Sequence, residues 1–210
     1  MDIIVNKTMK KIVFAMALMF GYLPCLHMQA QTAKEVLDKC AATVSAKSGV
    51  QADFTMESAQ YGSASGKIQV KGRMFHATTP MAMMWFDGKT LWTYMLKNEE
   101  VNVTNPSESQ LQSLNPYNFI NMYKNGYKST MTQSGSSYVV HLTSTNTNQR
   151  VRELFITVDK ASYHPTEVKL LQKQKWTTFR ISNLTSAKLD DALFRFNSKD
   201  FPSAEVIDLR

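Results

Sequence analysis

Apolar residues change their spacing once, early in the chain, and then keep the new spacing for most of its length. Val36, Leu37, Cys40, Ala41 and Val44 recur at helical intervals, which predicts a helix over about 32–47 with a single apolar face. Thr32 stands where an N-cap would, with Glu35 three residues on, as a capping box requires, and Ser48-Gly49 supplies the stop. From Val50 the period is two. Alternation predicts strands over 50–56, 67–71 and 74–78, with a turn at 62–66 after the first of them. Residues 81–86 are apolar almost throughout, Asp87-Gly88 reads as a two-residue hairpin turn, and 89–96 returns as a strand.

Between 105 and 126 the alternation breaks. Leu111, Leu114, Phe119, Ile120, Met122 and Tyr123 fall at helix-like intervals around Pro106 and Pro116, predicting one or two short amphipathic helices. Strands then resume over 127–133, 137–144, 150–158, 164–173 and 175–184, and the tail 194–209 carries Phe194, Phe196 and Phe201 in a short helix or turn and a last strand. So many strands and so few helices predict one large antiparallel sheet. A sheet of that size has to curl around the helices to hide its apolar face, and can enclose an apolar cavity.

Composition narrows the class. Hydrophobic residues are 43% and charged residues 20% of the 210, which is ordinary for a globular chain. The start of the chain reads as a targeting segment. Lys10 and Lys11 precede an apolar run from Ile12 to Leu23, shorter than the ~20 residues a membrane span needs, and the pattern is that of a secretory signal peptide cut after Ala30. Met9, just before the lysines, is an alternative start. Cys25 admits a second reading as a lipid-modified cysteine, which Leu23-Pro24 fits badly because small residues are expected there. With residues 1–30 removed, the net charge of +7 falls to +5, since Lys7, Lys10, Lys11 and Asp2 leave. That is mildly basic and lacks the dense Lys/Arg clusters of a nucleic-acid binder. Cys40 is then the single cysteine, reading as a small buried hydrophobe. Residues 31–210 read as one exported domain.

Candidate chemistry is sparse. No phosphate-binding glycine loop, dinucleotide fingerprint or zinc-protease motif occurs. His76, His141 and His164 are far apart and lack partners at metal-ligand spacing. Asp190-Asp191 and Glu99-Glu100 are adjacent pairs, which extended chain points to opposite faces. No cofactor, metal or catalytic residue is expected. Met81, Met83 and Met84 cluster beside Trp85 and Phe86. Such a strand is either plain core or the lining of an adaptable pocket, because thioethers re-pack around varied apolar ligands. Lys169, Lys173 and Lys175 mark either solvated edge protection or a basic surface for a membrane or an acidic partner.

The run Phe86-Asp87-Gly88-Lys89-Thr90-Leu91-Trp92-Thr93-Tyr94 closely resembles the signature hairpin of the LolA family of outer-membrane lipoprotein carriers. The order of weaker pieces agrees: Phe54, the strand led by Gly66-Lys67-Ile68, Glu100-Val101, Asn115-Pro116-Tyr117-Asn118-Phe119-Ile120, residues 154–159, residues 178–184, and Phe194-Arg195-Phe196. The resemblance implies an unclosed, strongly curved antiparallel half-barrel covered by a short helical lid. It implies a non-enzymatic, monomeric periplasmic carrier that takes the acyl chains of lipoproteins, or other lipids, into an apolar cavity. An inner-membrane release complex would be the donor and an outer-membrane acceptor the destination. On that reading Phe54 and Met56, Ile68 and Val70, Met84 with Trp92 and Tyr94, Leu154 and Ile156, and Phe179 and Ile181 would line the cavity. Leu114, Phe119 and Met122 would belong to the lid. The family's Arg-Pro pair, whose arginine helps hold the lid, is replaced by Arg73-Met74, which leaves Arg73 as the candidate, one or two positions displaced. An alternative on the same scaffold is an envelope-stress sensor or regulatory lipid-binding protein.

Overall fold

The computed structural model describes residues 31–210 except Tyr61 and 112–115, and for 108–109 and 116–118 the backbone alone. The leader expected over 1–30 lies outside the described residues. Helix α1 (Ala33–Val44) starts as its sequence dictates: the Thr32 hydroxyl accepts the Glu35 N–H at 3.2 Å, and the Glu35 carboxylate accepts the Thr32 N–H at 3.0 Å. It ends three residues short of the expected limit, where the Ser45 N–H turns back to the Ala42 carbonyl. Val36, Leu37, Cys40, Ala41 and Val44 form its buried stripe.

Twelve strands follow: β1 (Val50–Ser58), β2 (Gly62–Lys71), β3 (Met74–Thr78), β4 (Ala82–Phe86), β5 (Leu91–Met95), β6 (Glu100–Thr104), β7 (Tyr127–Ser134), β8 (Ser137–Ser144), β9 (Val151–Asp159), β10 (Pro165–Gln172), β11 (Lys175–Ser186) and β12 (Glu205–Asp208). Between β6 and β7 lie α2 (Glu108–Leu111), α3 (Pro116–Asn121) and a 3-10 turn at Met122–Lys124. All twelve strands form one sheet in the order β12-β6-β5-β4-β3-β2-β1-β11-β10-β9-β8-β7. It is therefore two meanders joined where β1 meets β11. Every pairing is antiparallel except β12 on β6, and β7 and β12 remain as open edges. The mostly β, unclosed sheet expected from the sequence is the fold observed.

Register defines the inner face. One row of directly opposed residues runs Met131, Val140, Ile156, Val168, Phe179, Met56, Ala64 across β7 to β2. The stripe of α1 packs in one cluster with residues of β8, β9, β10 and β11, with Phe54 and Met56 of β1 against it. A single helix of 12 residues, ~18 Å long, is long enough to span these five neighbouring strands, whose ~4.8 Å spacing puts the outer two about 19 Å apart. Farther along, Leu111 of α2 covers the inner face of Val70, Phe75, Phe86 and Leu91.

Part of the first meander, β4–β6, is buried on its other face as well. The chain after β11 crosses the outer side of β4–β6, where Trp85 meets Phe196 at 5.6 Å and Phe201 at 5.5 Å, and Tyr94 meets Phe201 at 4.9 Å between ring centroids. β12 then adds in parallel beside β6. Two-sided burial accounts for the unbroken apolar character of 81–86, since a strand covered on both faces has no polar positions to alternate with.

Two expected turns fall differently. Residues 62–66 are the first half of β2, paired along β1 from Ser58↔Gly62 to Phe54↔Gly66; serine and glycine there sit in a strand because Ser63 and Ser65 face outward. The hairpin at Asp87-Gly88 is a four-residue loop, with Phe86 opposite Leu91. Asp87 holds it by accepting the N–H groups of Lys89 at 3.0 Å and Thr90 at 2.8 Å, the local turn that aspartate favours.

Gly66 is where β2 and the end of β3 crowd together. A Cβ built there would lie 2.0 Å from the Thr78 carbonyl oxygen, so only glycine fits. Gly66→Ala is expected to destabilise the protein by ~1–3 kcal/mol, read as a lower urea midpoint at unchanged slope; an unchanged midpoint would mean that the crossing relaxes freely.

Candidate functional site

A small cavity lies on the inner face at the junction of the two meanders. Val50, Ala52 and Phe54 of β1, Ile68 and Val70 of β2, and Ile181 and Leu184 of β11 form its floor and walls, with Val44 of α1 and Ile120 of α3 above. Its volume is about 40 Å³, room for little more than a single water and far below the ~300–1,000 Å³ of small-molecule sites. Gln51 and Pro165 complete the lining, so nothing charged faces it. An open groove of about 470 Å³ lies at the far end of the β1–β2 hairpin, between Met56, Ala64 and the Pro80-Met81 turn, rimmed by Thr55, Glu57, Ser63 and Ser65. Met56 belongs to both settings: it lines the groove and packs against the inner cluster.

The sequence-derived site residues divide by strand phase. Phe54, Ile68, Val70 and Ile181 line the cavity. Leu154, Ile156 and Phe179 are buried in the inner cluster beneath α1, and Met84 packs on the inner face against the Phe75 and Phe86 group. Trp92 and Tyr94 are on the other side. Trp92 pairs with Trp85 and Tyr94 with Met83, and all four belong to the outer cluster beneath Phe196 and Phe201. Grouping them with Met84 on one apolar face is therefore corrected: Met84 is opposite Thr93, and neighbours in a strand alternate faces.

Of the expected lid, Phe119 and Met122 are buried in the inner cluster, with the Phe119 ring 5.9 Å from that of Phe179. Leu114 lies outside the described residues. Arg73 occupies the exposed turn that links β2 and β3, beside Gly72 at φ 60°, and belongs to neither the cavity lining nor the inner cluster. Its neighbour Lys71 reaches instead toward the C-terminal segment, donating to the Leu189 carbonyl at 2.9 Å and to Asp191 at 2.8 Å. Val44, Val50, Gln51, Ala52, Ile120, Pro165 and Leu184 were missed as lining residues. Helical periodicity had placed Val44 and Ile120 on apolar faces, but nothing local tells which strand a helix face will meet.

Polar groups hold the cover without entering the cavity. The Tyr123 hydroxyl donates to Asp38, which ties the turn after α3 to α1. Hydrogen bonds from Lys34 and then Tyr123 hold the Asp38 carboxyl below its usual range. Burial pushes the Cys40 thiol up to about 12. The histidines stay apart: His76 bonds Gln69 at 3.1 Å and stacks on Trp85, and His141 bonds Glu153 at 3.1 Å. Among the described residues no group of three or more His, Cys, Asp or Glu could hold a metal ion.

A family model described as outer membrane lipoprotein carrier protein LolA matches residues 23–174. A search of the curated proteins finds no match. Among solved structures, an uncharacterized conserved protein from Thermus thermophilus is similar at 12% identity and a TM-score of 0.57, covering 85% of this chain and 99% of its own. A LolA superfamily protein from Nitrosomonas europaea has 13% identity, a TM-score of 0.45 and coverage of 80% and 99%. A putative outer membrane lipoprotein-sorting protein domain from Vibrio parahaemolyticus has 14% identity, a TM-score of 0.42 and coverage of 77% and 97%.

A thiol raised to about 12 stays protonated at pH 8, and the thiolate is the reactive form. Cys40 in the folded protein is expected to resist an aromatic disulfide reagent at pH 8 and to react fully in denaturant. Rapid reaction of the native protein would show that α1 lifts from the sheet readily without ligand.

Proposed function

The chain belongs to the outer membrane lipoprotein carrier protein LolA family, and on that premise we propose that it is an exported, non-enzymatic carrier whose inner sheet face binds the acyl chains of lipoproteins or related lipids. Residues 1–30 act as the export leader and 31–210 as the carrier domain, working as a monomer in the periplasm. Cargo comes from an inner-membrane release complex and goes to an outer-membrane acceptor. The observation that carries the reading is an uncharged lining closed only by short helices. No second sheet seals the inner face, so its cover can move without dismantling the fold.

Acyl chains would replace the cover. Each methylene removed from water contributes ~0.8 kcal/mol, offset by whatever cover contacts are given up. A space of about 40 Å³ cannot hold an acyl chain, so loading requires α1, or α3 with Phe119, Ile120 and Met122, to withdraw. The 470 Å³ groove offers a way in, because Met56 stands between it and the inner cluster. Bond chemistry is not part of this reading: the one thiol beneath α1 is protonated, and no charged side chain lines the cavity.

Native mass spectrometry with lipid extraction, after export in a bacterial host, tests the proposal. A bound acylated peptide or lipid supports it. An empty protein that also takes up no lipoprotein from membranes would favour the sensor alternative. Phase gives a sharper comparison. Ile181→Asn places an amide in the lining and is expected to lower occupancy at least tenfold, about 1.4 kcal/mol, with near-UV circular dichroism unchanged. Trp92→Phe loosens the outer cluster and is expected to leave occupancy as it was. The reverse ranking would mean that cargo binds on the outer face.

A further inference from the structure

Strands β8 to β11 bury Val140, Ile156, Val168 and Phe179 inward and therefore turn their alternate residues outward. Those outward residues make a patch. The His141 ring lies flat on Phe155 at 4.2 Å, Phe155 meets Trp176 at 5.9 Å, and the Lys169 ammonium sits 4.7 Å over the Trp176 ring. Leu171, directly opposite Trp176, extends it. These side chains are half-buried, and Phe155 and Trp176 belong to none of the buried clusters. The contrast with the first meander is sharp, since its outer aromatic residues are covered by the C-terminal segment.

Charge surrounds the patch on one side. Lys173 and Gln174 form the β10–β11 turn at φ 46° and 61°, which leaves Lys173 exposed at the end of the strand pair that carries Leu171 and Trp176; Lys175 has the opposite strand phase to Trp176. Lys169, Lys173 and Lys175 make no ion pair among the described residues. The nearby acids are engaged: Glu153 with His141 at 3.1 Å, and Glu167 with Arg180 at 3.3 Å.

The geometry points to this outer face of β8–β11 as a docking surface for an anionic lipid bilayer. Indole rings settle at headgroup depth, lysine stems lie along apolar surface while the ammonium reaches phosphate, and a cationic rim complements an anionic leaflet. The stacked His141 and Phe155 rings, the tilted Trp176 ring and the Lys169 ammonium over it put aromatic and cationic groups side by side, the pairing that suits headgroups and phosphate. The attraction is weak and screened by salt, which suits a protein that arrives and leaves. This proposal stands on the outer face and does not depend on what the inner face binds.

Sedimentation with vesicles tests it, using the protein as exported. Binding is expected to phosphatidylcholine vesicles carrying about one-third phosphatidylglycerol, to be weak to phosphatidylcholine alone, and to vanish at roughly 1 M salt, where the screening length is ~3 Å. Replacing Lys169 and Lys173 together by Gln is expected to cut binding roughly 25-fold, ~5-fold for each lysine, with the thermal midpoint and extracted lipid unchanged. Brominated acyl chains should quench part of the emission, and Trp176→Phe should abolish that part. Equal binding to both vesicles, full binding by the Lys169 and Lys173 double variant, or quenching that survives Trp176→Phe would overturn the proposal. So would an acidic protein that occupies the patch while vesicles do not. Vesicle binding by a protein empty of lipid would uphold this surface and remove the carrier reading; lipid occupancy without vesicle binding would do the reverse.

Discussion

The fold depends on apolar contact between one short helix and the inner face of a single sheet. Strand alternation gives β8–β11 a continuous inner row, and α1 supplies the matching stripe of Val36, Leu37, Cys40, Ala41 and Val44. Each of the larger side chains contributes ~1.5–3 kcal/mol on burial. No second sheet backs this face, so without α1 and the segment around Phe119 the row would stand in water. The same contact defines what the inner face can do. On the carrier reading proposed above, a hydrocarbon ligand and the helical cover would compete for the same atoms, and exchanging one apolar neighbour for another would change the free energy far less than exposing the face. On that reading the tight cavity of about 40 Å³ would be the unloaded form of the site.

The two meanders solve the problem of their outer faces differently. In β4–β6, Trp85 and Tyr94 are sealed by Phe196 and Phe201 from the tail. The tail is held by Lys71 to Leu189 and Asp191, by Arg195 to Asp87 at 3.3 Å, and by the Leu209 N–H donating to the Val103 carbonyl at 2.9 Å. In β8–β11 nothing comparable covers Phe155 and Trp176, and lysines take the place of the tail. β4–β6 are thereby covered on both faces, while β8–β11 meet helices on one side and present Phe155 and Trp176 on the other.

Much of the architecture was legible because it rests on local period. The capping box of α1, its buried stripe, most strands and the helical insert follow from residues adjacent in sequence. What escaped depends on partners distant in sequence. Residues 62–66 look like a turn until β1 is laid beside them, and the parallel seat of β12 on β6 leaves no mark in four residues. The site was half legible for the same reason. Phe54, Ile68, Val70 and Ile181, named as lining on the family resemblance, do line the cavity. Trp92 and Tyr94 were misassigned because an apolar strand covered on both faces carries no phase signal of its own; only the pairing Trp85↔Trp92 decides the side. Family resemblance supplied what periodicity could not, the idea that the inner face carries cargo.

Hydrogen–deuterium exchange with and without a diacylated lipopeptide tests that idea most directly. If the cover gives way to cargo, amides of α1 and of residues 116–124 change exchange on binding while the inner strands β9–β11 keep theirs. Bound lipopeptide with α1 and residues 116–124 unaltered, or protection confined to the outer face of β4–β6, would contradict the account.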